Sequence, residues 1–206
     1  ARARELGLRV IVELVIQHTS AQHPWFQAAR RDPRSPWRPY YLWADRPPEK
    51  DDPPMFPGVE ESVWRWDEQA GQYYRHMFYR HEPDLNLAHP PVIAEIENII
   101  TFWLQAGVSG FRLDAASHLV KQAGKGDEAR GYPLLTHLRQ VVQRLNPEAI
   151  LLGEVDVAVE DYRHYFGHGD RLQMVLNFWL NKYLYLSLAQ QRAAPVVKAL
   201  QAMVTP

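Results

Sequence analysis

Three apolar segments, each followed at once by polar or charged side chains, constrain the fold of this 206-residue chain more than any other feature. The segments and the side chains that follow them are 8–16 with Gln17 and His18, 108–113 with Asp114, and 149–152 with Glu154. Segments rich in Val, Ile and Leu predict parallel strands that are covered on both faces. In a parallel barrel the carboxyl ends of the strands meet on one face, where active sites form.

Helical patterns between these strands complete an α/β series. The predicted elements are a helix from Pro90 to Gly107, a polar loop at 121–130, a helix at 132–145, a strand at 172–178, and a helical region at 180–203. The order of strands and helices predicts a (β/α)8 barrel of the TIM type, of which this chain would hold a part.

Residues 20–89 differ in composition from the rest of the chain. They contain most of the 16 prolines and of the 7 tryptophans, with little helical periodicity. A segment of this length is too long for a simple loop, so we expect an inserted, irregular subdomain with an aromatic cluster. Residues 64–66 and 73–78 predict a hairpin with its turn at 69–71. The partial barrel would then comprise residues 1–19 and 90–206.

Arg112 and Asp114 lie two residues apart in the second predicted strand, so their side chains project to the same face. The guanidinium would hold Asp114 ionised, as a nucleophile requires. From these two residues alone, a structural ion pair is an equal alternative. Polar residues at three successive strand ends favour catalysis over that alternative.

Asp114 and Glu154 would lie at the ends of neighbouring strands, close enough to flank one bond. Two carboxyl groups about 5 Å apart are typical of a retaining glycosidase, in which one attacks the anomeric carbon and the other protonates the leaving oxygen. Glu154 has no basic neighbour in the sequence, so we expect partial burial to keep it protonated.

The composition excludes several other functions. The formal net charge of −1 does not favour a nucleic-acid surface, and no apolar run is long enough to span a bilayer. Cysteine is absent, which fits a reducing compartment, so a cytoplasmic protein is expected. Neither a nucleic acid nor a membrane is therefore predicted as a partner.

Four segments together resemble the alpha-amylase family of glycoside hydrolases and transglycosylases. They are residues 10–20, residues 82–86 (EPDLN), residues 110–114 (GFRLD) and residues 151–154 (LLGE), in the family's order. Residues 23–26, 40–43 and 165–170 are most similar to the trehalose synthase branch. The resemblance covers most of the chain and implies an amylase-type barrel with residues 20–89 as the domain that walls the active site.

The resemblance also implies a role for each candidate residue. Asp114 would be the nucleophile, Glu154 the general acid/base, and Arg112 the residue that orients Asp114. His18 would bind the sugar at the cleaved bond, and His118 matches a substrate-contacting position of some members. The implied substrate is an α-glucoside such as maltose or a short maltooligosaccharide.

No cofactor and no metal ion are expected. The family usually has Asp where this chain has Glu13, and Asn where it has Gln17. That Asn is commonly structural or a calcium ligand, so its replacement argues against a calcium site.

The family's fourth motif, a His-Asp pair that supplies a third carboxylate, is not found before Pro206, and residues 1–7 resemble the last turns of a helix. Both observations predict a fragment with about half of a barrel of roughly 250 residues. Two alternatives to an active enzyme stay open: a catalytically inactive barrel used for binding, and an inactive gene fragment.

Overall fold

The computed structural model describes residues 2–204. The regular elements are α1 (Arg2–Glu5), β1 (Ile11–Leu14), α2 (Pro24–Arg31), β2 (Trp43–Ala44), β3 (Trp64–Asp67), β4 (Gln72–Arg75), α3 (Pro90–Gln105), β5 (Gly110–Leu113), α4 (Ala116–Ala123), α5 (Glu128–Leu145), β6 (Ile150–Gly153), α6 (Tyr162–Phe166), β7 (Met174–Val175), α7 (Phe178–Gln190) and α8 (Ala194–Val204). Short 3-10 turns lie at Arg38–Tyr40 and Val159–Asp161.

The chain divides into two compact units. The first unit runs up to Leu14 and resumes at Ile99, and the second is Val15–Asn98. The division on the C-terminal side falls inside α3. The domain limits expected from composition, 1–19 with 90–206 and 20–89, stay a prediction.

The first unit contains a parallel sheet in the order β1-β5-β6-β7. Each of its three strand pairs is parallel, so the predicted parallel α/β series is confirmed. Phe111, Leu113 and Leu151 are fully buried in this sheet. Helix α5 adds Leu135 and Leu138 to the same unit's buried residues, because its apolar residues recur at helical spacing.

The prediction of a long first strand covered on both faces is wrong. Strand β1 has only four residues, and in the described part of the chain it pairs only with β5. Leu14 is buried, whereas Leu8, Val10 and Ile11 are exposed. These apolar side chains lie at or beside an edge strand, where one side of the ladder is open.

The predicted polar loop at 121–130 is also wrong. Helix α4 continues to Ala123, and α5 begins at Glu128 with Asp127 as its N-cap, whose side chain accepts a hydrogen bond from the Ala129 N–H. Only residues 124–127 connect the two helices. The polar residues and glycines of 121–130 indicated a loop, because glycine weakens helices. Here a Cβ at Gly131 would lie 1.8 Å from the carbonyl oxygen of Val120, so the α4–α5 contact requires glycine.

The second unit contains a three-stranded antiparallel sheet in the order β2-β4-β3. The predicted hairpin is confirmed as β3 and β4, with Gly71 in the left-handed conformation of its turn. Strand β2 and helix α2 were not predicted. Helix α2 begins with proline, which is favoured at the first helical position. It was missed because the proline-rich segment around it shows little helical periodicity.

Aromatic rings form the core of this second unit. Phe26 of α2 is buried and stacks on Trp43 at 5.6 Å, with Tyr41 and Tyr74 packed edge-on against it. Such geometries are the favourable ones for aromatic pairs. The predicted aromatic cluster is therefore confirmed, and it belongs to the core of the unit.

Candidate active site

The register of the parallel strands places four charged residues on one face of the sheet. Glu13 on β1 is in register with Arg112 on β5, which is in register with Leu152 on β6. Asp114 and Glu154 each follow two residues later, and side chains two residues apart share a face. Phe111 and Leu113 point the other way and are fully buried, so the predicted alternation is confirmed.

Arg112 binds three carboxylates at once. Its Nη1 donates to Asp114 Oδ1 at 2.5 Å and to Glu13 Oε1, and its Nη2 donates to Glu154 Oε2 at 2.6 Å. The predicted ion pair between Arg112 and Asp114 is confirmed. Since a guanidinium is small, rigid and planar, the bonded oxygens of Asp114 and Glu154 lie within about 8 Å of each other.

The electrostatics of this cluster favour a permanently charged arginine. Partial burial alone would lower the pKa of Arg112, but the hydrogen bond to Glu13, the charge of Glu154 and the hydrogen bond to Asp114 outweigh it. The pKa of Arg112 is therefore raised above its ordinary value. All four side chains are partly open to solvent, between 23% and 49% exposed, so a ligand can reach them.

Glu154 has a basic neighbour in the fold, although it has none nearby in the sequence. Arg112 is 42 positions away in the sequence and donates to Glu154 because β5 and β6 are adjacent and in register. Partial burial is present, with the Glu154 side chain 30% exposed, but an ion pair accompanies it. The two carboxylates therefore do not have the separate environments that the sequence predicted.

Backbone hydrogen bonds fix the chain around both carboxylates. The Asp114 N–H donates to the Leu14 carbonyl at 3.2 Å, and the Glu154 N–H donates to the Leu113 carbonyl at 2.9 Å. Ala115, between β5 and α4, has a left-handed backbone with φ 43° and ψ 44°. For a residue with a Cβ this conformation costs roughly 1–2 kcal/mol. Strain of this kind persists only where the surroundings enforce it.

Sequence reasoning did not assign a role to Glu13 or Ala115. The contact of Glu13 with Arg112 follows from the register between β1 and β5. No local pattern in the sequence predicts that register. Ala115 gave no signal, because alanine is rare in left-handed backbone and common everywhere else.

The two candidate histidines lie in different units. His118 is in the first turn of α4, four residues after Asp114, and is half-buried. His18 is in the second unit, with its side chain 13% exposed and its Nε2 4.0 Å from Glu82 Oε1. The ring of Phe78 packs edge-on against His18 at 5.6 Å.

The segment 82–86 anchors the backbone that carries His18. Asp84 is fully buried, and its two oxygens accept from Arg75 Nη1 at 2.5 Å and from the Met77 N–H at 3.1 Å. Burial raises the pKa of Asp84 to about 6, against the lowering effect of the Arg75 charge. His18 forms a β-bridge with Asp84, so this buried pair holds His18 in place.

A calcium site does not emerge from the residues around Gln17. The Gln17 side chain is buried, and its Oε1 has no hydrogen-bond partner among the residues that the structure describes. One amide oxygen cannot hold calcium, which takes six to eight oxygen ligands. Within residues 2–204, no cluster of three or more His, Asp or Glu side chains is arranged to hold a metal ion. We assign no step to calcium.

Among the helices within residues 2–204, none has the length and apolar character needed to cross a membrane.

The fold and the site together define an α/β protein whose candidate residues Asp114 and Glu154 lie at the carboxyl ends of parallel strands, as active-site residues do in barrel enzymes. The chain belongs to the alpha-amylase family, since residues 1–205 match the family described as alpha amylase, catalytic domain. The predicted family and the predicted fold class, an amylase-type α/β barrel, are thereby confirmed.

Named relatives agree with this assignment. The chain is 40% identical to trehalose synthase of Thermus thermophilus over 194 residues, which is 92% of this chain and 20% of that protein. It is 34% identical to glucan 1,6-alpha-glucosidase of Streptococcus dysgalactiae subsp. equisimilis over 182 residues, which is 86% of this chain and 33% of that protein. The crystal structure of alpha-amylase from H. orenii superposes with a TM-score of 0.84 at 29% identity, covering 98% of this chain and 39% of that one.

Proposed function

We propose that this chain carries the nucleophile and the acid/base of a retaining glycoside hydrolase or glucosyltransferase that acts on α-glucosidic bonds. The observation that carries the proposal is the shared guanidinium, because Arg112 brings Asp114 and Glu154 together on one face of the sheet. Membership of the alpha-amylase family supports the reaction class.

In the first step, a free oxygen of Asp114 attacks the anomeric carbon. Asp114 Oδ1 is held by Arg112, so Oδ2 is the attacking oxygen. The electron pair of the glycosidic bond moves to the leaving oxygen, which takes a proton from the Glu154 carboxyl group. The products are a glucosyl ester on Asp114, an ionised Glu154 and a departing sugar.

In the second step, the roles of Glu154 are reversed. Its carboxylate takes a proton from water or from a sugar hydroxyl, and that oxygen attacks the anomeric carbon. The bond to Asp114 breaks and returns its electron pair to the carboxylate. Two displacements at one carbon retain the configuration, and the acceptor decides between hydrolysis and transfer.

The choice of a retaining over an inverting mechanism rests on membership of the alpha-amylase family. The shared bonds to Arg112 keep the bonded oxygens of Asp114 and Glu154 within about 8 Å, a bound that includes both the roughly 5–5.5 Å of retaining enzymes and the roughly 6.5–9.5 Å of inverting ones.

His18 and His118 are proposed to bind the sugar. His118 lies in the first turn of α4, four residues after Asp114, and is half-buried. His18 is anchored through its bridge to the buried Asp84. A neutral imidazole can donate one hydrogen bond and accept another, which suits sugar hydroxyl groups.

The proposed substrate is maltose or a short maltooligosaccharide. Support comes from the names of the relatives, which include a trehalose synthase at 40% identity and a glucan 1,6-alpha-glucosidase at 34%. The first of these favours transfer of a glucosyl group between sugars. Because the chain spans only 20% and 33% of these relatives, both substrate and reaction are proposals.

The test is the anomeric configuration of the first product. A protein that carries this chain is incubated with maltose, and proton NMR follows the anomeric signals before mutarotation mixes them. We expect the α anomer of the released or transferred glucosyl unit first, and no product with Asp114→Asn. A first-formed β anomer would refute the retaining mechanism, and unchanged turnover in Asp114→Asn would refute the nucleophile.

A further inference from the structure

The turn between Asp114 and α4 places a backbone amide at the Glu154 carboxylate. Ala115 is 8% exposed and has a left-handed backbone, and as the N-cap of α4 it makes no side-chain hydrogen bond to the described part of that helix. Its N–H donates to Glu154 Oε2 at 3.1 Å. The next amide, of Ala116, donates to the carbonyl oxygen of Glu154 at 2.8 Å. Successive amides therefore bind the main chain and the side chain of the same residue.

We propose that Ala115 is a positioning residue, whose left-handed backbone aims its N–H at Glu154 Oε2 and so selects the oxygen of Glu154 that carries the catalytic proton. This inference rests on the proposed function of Glu154 as the acid/base. Because the Ala116 N–H is held on the Glu154 carbonyl, an ordinary helical or extended backbone at Ala115 would rotate the Ala115 N–H away from Glu154 Oε2. The strain at Ala115 is thus tied to the orientation of the carboxyl group.

The choice of oxygen follows from the donors around it. Oε2 accepts from Arg112 Nη2 at 2.6 Å and from the Ala115 N–H at 3.1 Å. A carboxylate oxygen has two lone pairs in its plane, so two donors occupy Oε2 fully. The proton transferred to the leaving oxygen is therefore held by Oε1. When the Oε1–H bond breaks, its electron pair stays on the carboxylate and both donors to Oε2 remain in place.

The first experiment follows the Ala115 amide by nitrogen-15 NMR through a pH titration of the whole chain. We expect its proton shift to change with the same midpoint as the Glu154 side-chain carboxyl carbon, because protonation weakens the hydrogen bond to Oε2. Asp114 and Glu13 also lie at Arg112 and titrate, so the titration is repeated in Glu154→Gln. Loss of the Ala115 response in that variant supports the proposal, and a retained response overturns it.

Two substitutions at position 115 form a matched pair. Glycine adopts the left-handed backbone freely, whereas a β-branched valine does not. We expect Ala115→Gly to keep the coupling between amide 115 and Glu154, and Ala115→Val to lose it. In an active protein, Ala115→Val should lower kcat about tenfold or more on maltose and much less on an activated aryl α-glucoside. Equal losses on both substrates would indicate a merely structural role and overturn the proposal.

These outcomes separate the inference from the proposed function. If the Ala115 amide responds to the titration of Glu154 in a protein that cleaves no α-glucoside, the proposed function is refuted and the positioning stays intact. If the Ala115 amide does not respond to Glu154 in an active enzyme, only the positioning is refuted. If Ala115→Val does not fold, the titrations of Ala115→Gly and Glu154→Gln decide the question.

Discussion

At the scale of single residues, one guanidinium organises the candidate site. Arg112 holds Asp114, Glu154 and Glu13 at the same time. Arginine suits this role because its planar group carries several donors in a fixed geometry and stays charged. The pairing of Arg112 with Asp114 could be predicted, since the two residues are close in sequence. The pairing with Glu154 could not, because it depends on the register between two strands.

A first prediction concerns the role of Glu154 as proton donor. Glu154→Gln keeps the size and one acceptor oxygen but cannot protonate the leaving group. General acid catalysis is typically worth 10²–10⁴-fold, so we expect a loss of that order in kcat on maltose. The loss should be much smaller on an aryl α-glucoside with a good leaving group. Steady-state kinetics on the two substrates measure this ratio, and equal losses would contradict the assignment.

A second prediction concerns Glu13, which shares Nη1 of Arg112 with Asp114. Glu13→Gln removes one charge from the cluster and lets Arg112 shift, so we expect kcat to fall about tenfold. The Glu13 side chain is half-exposed, and the unfolding free energy should change by less than about 1 kcal/mol. Glu13→Asp, which keeps the charge, is the control and should lose less activity. A large loss of stability in Glu13→Gln would instead make Glu13 a structural residue.

At the scale of helices and strands, periodicity predicted the elements with a clear apolar pattern. The parallel strands and the β3–β4 hairpin are examples. The predictions missed α2, which lies in a proline-rich segment, and the first turn of α5, which precedes Gly131. Proline at the start of α3 and Pro133 inside α5 did not prevent those helices from being predicted. Contacts between elements decide such cases, and a single sequence does not contain them.

The element-scale prediction tests the contact between α4 and α5. In an exposed helix, replacing glycine by alanine raises the unfolding free energy by about 1 kcal/mol. At Gly131 the added Cβ would meet the Val120 backbone, so we expect Gly131→Ala to destabilise by about 1–3 kcal/mol or more. Denaturant unfolding measures the change. Arg130→Ala, at an exposed position next to it, is the control and should stay within about 0.5 kcal/mol.

Stabilisation by Gly131→Ala would contradict the close packing of these helices. It would show that glycine at this position is merely tolerated and that the α4–α5 spacing can relax.

At the scale of the whole molecule, the chain consists of two compact units with different architectures. One unit holds the parallel sheet with Asp114 and Glu154, and the other holds the aromatic core and His18. The change in composition after the first strand indicated a separate unit. A partial barrel is expected to expose its strand edges and apolar surface, and β1 lies at such an edge with exposed apolar side chains beside it.

A pH dependence of stability is expected from the second unit. Asp84 has an ordinary pKa of 3.8, and burial raises it to about 6 in the fold. Between these values the folded state binds more protons than the unfolded state, so stability falls as the pH rises through about 6. Between about pH 4 and 6, we expect the unfolding free energy of the wild type to fall by on the order of 1–3 kcal/mol relative to that of Asp84→Asn.

Thermal unfolding at a series of pH values checks this prediction. Arg75 keeps its ion pairs to Asp51 and Asp52 in Asp84→Asn, so the variant should still fold. Glu61→Gln, at an exposed acid of the same unit, is the control and should run parallel to the wild type. A difference between wild type and Asp84→Asn that does not change with pH would contradict the raised pKa.

The central claim is that Asp114 forms a covalent bond to the sugar. The most direct measurement uses an α-glucosyl fluoride with a second fluorine on the ring, which slows the second displacement so that the glucosyl ester accumulates. Mass spectrometry of the digested protein then locates the added glucosyl group. We predict that it lies on the peptide containing Asp114, and that Asp114→Asn prevents the label. A label on another carboxylate, or none in a protein that turns over α-glucosides, would contradict this account.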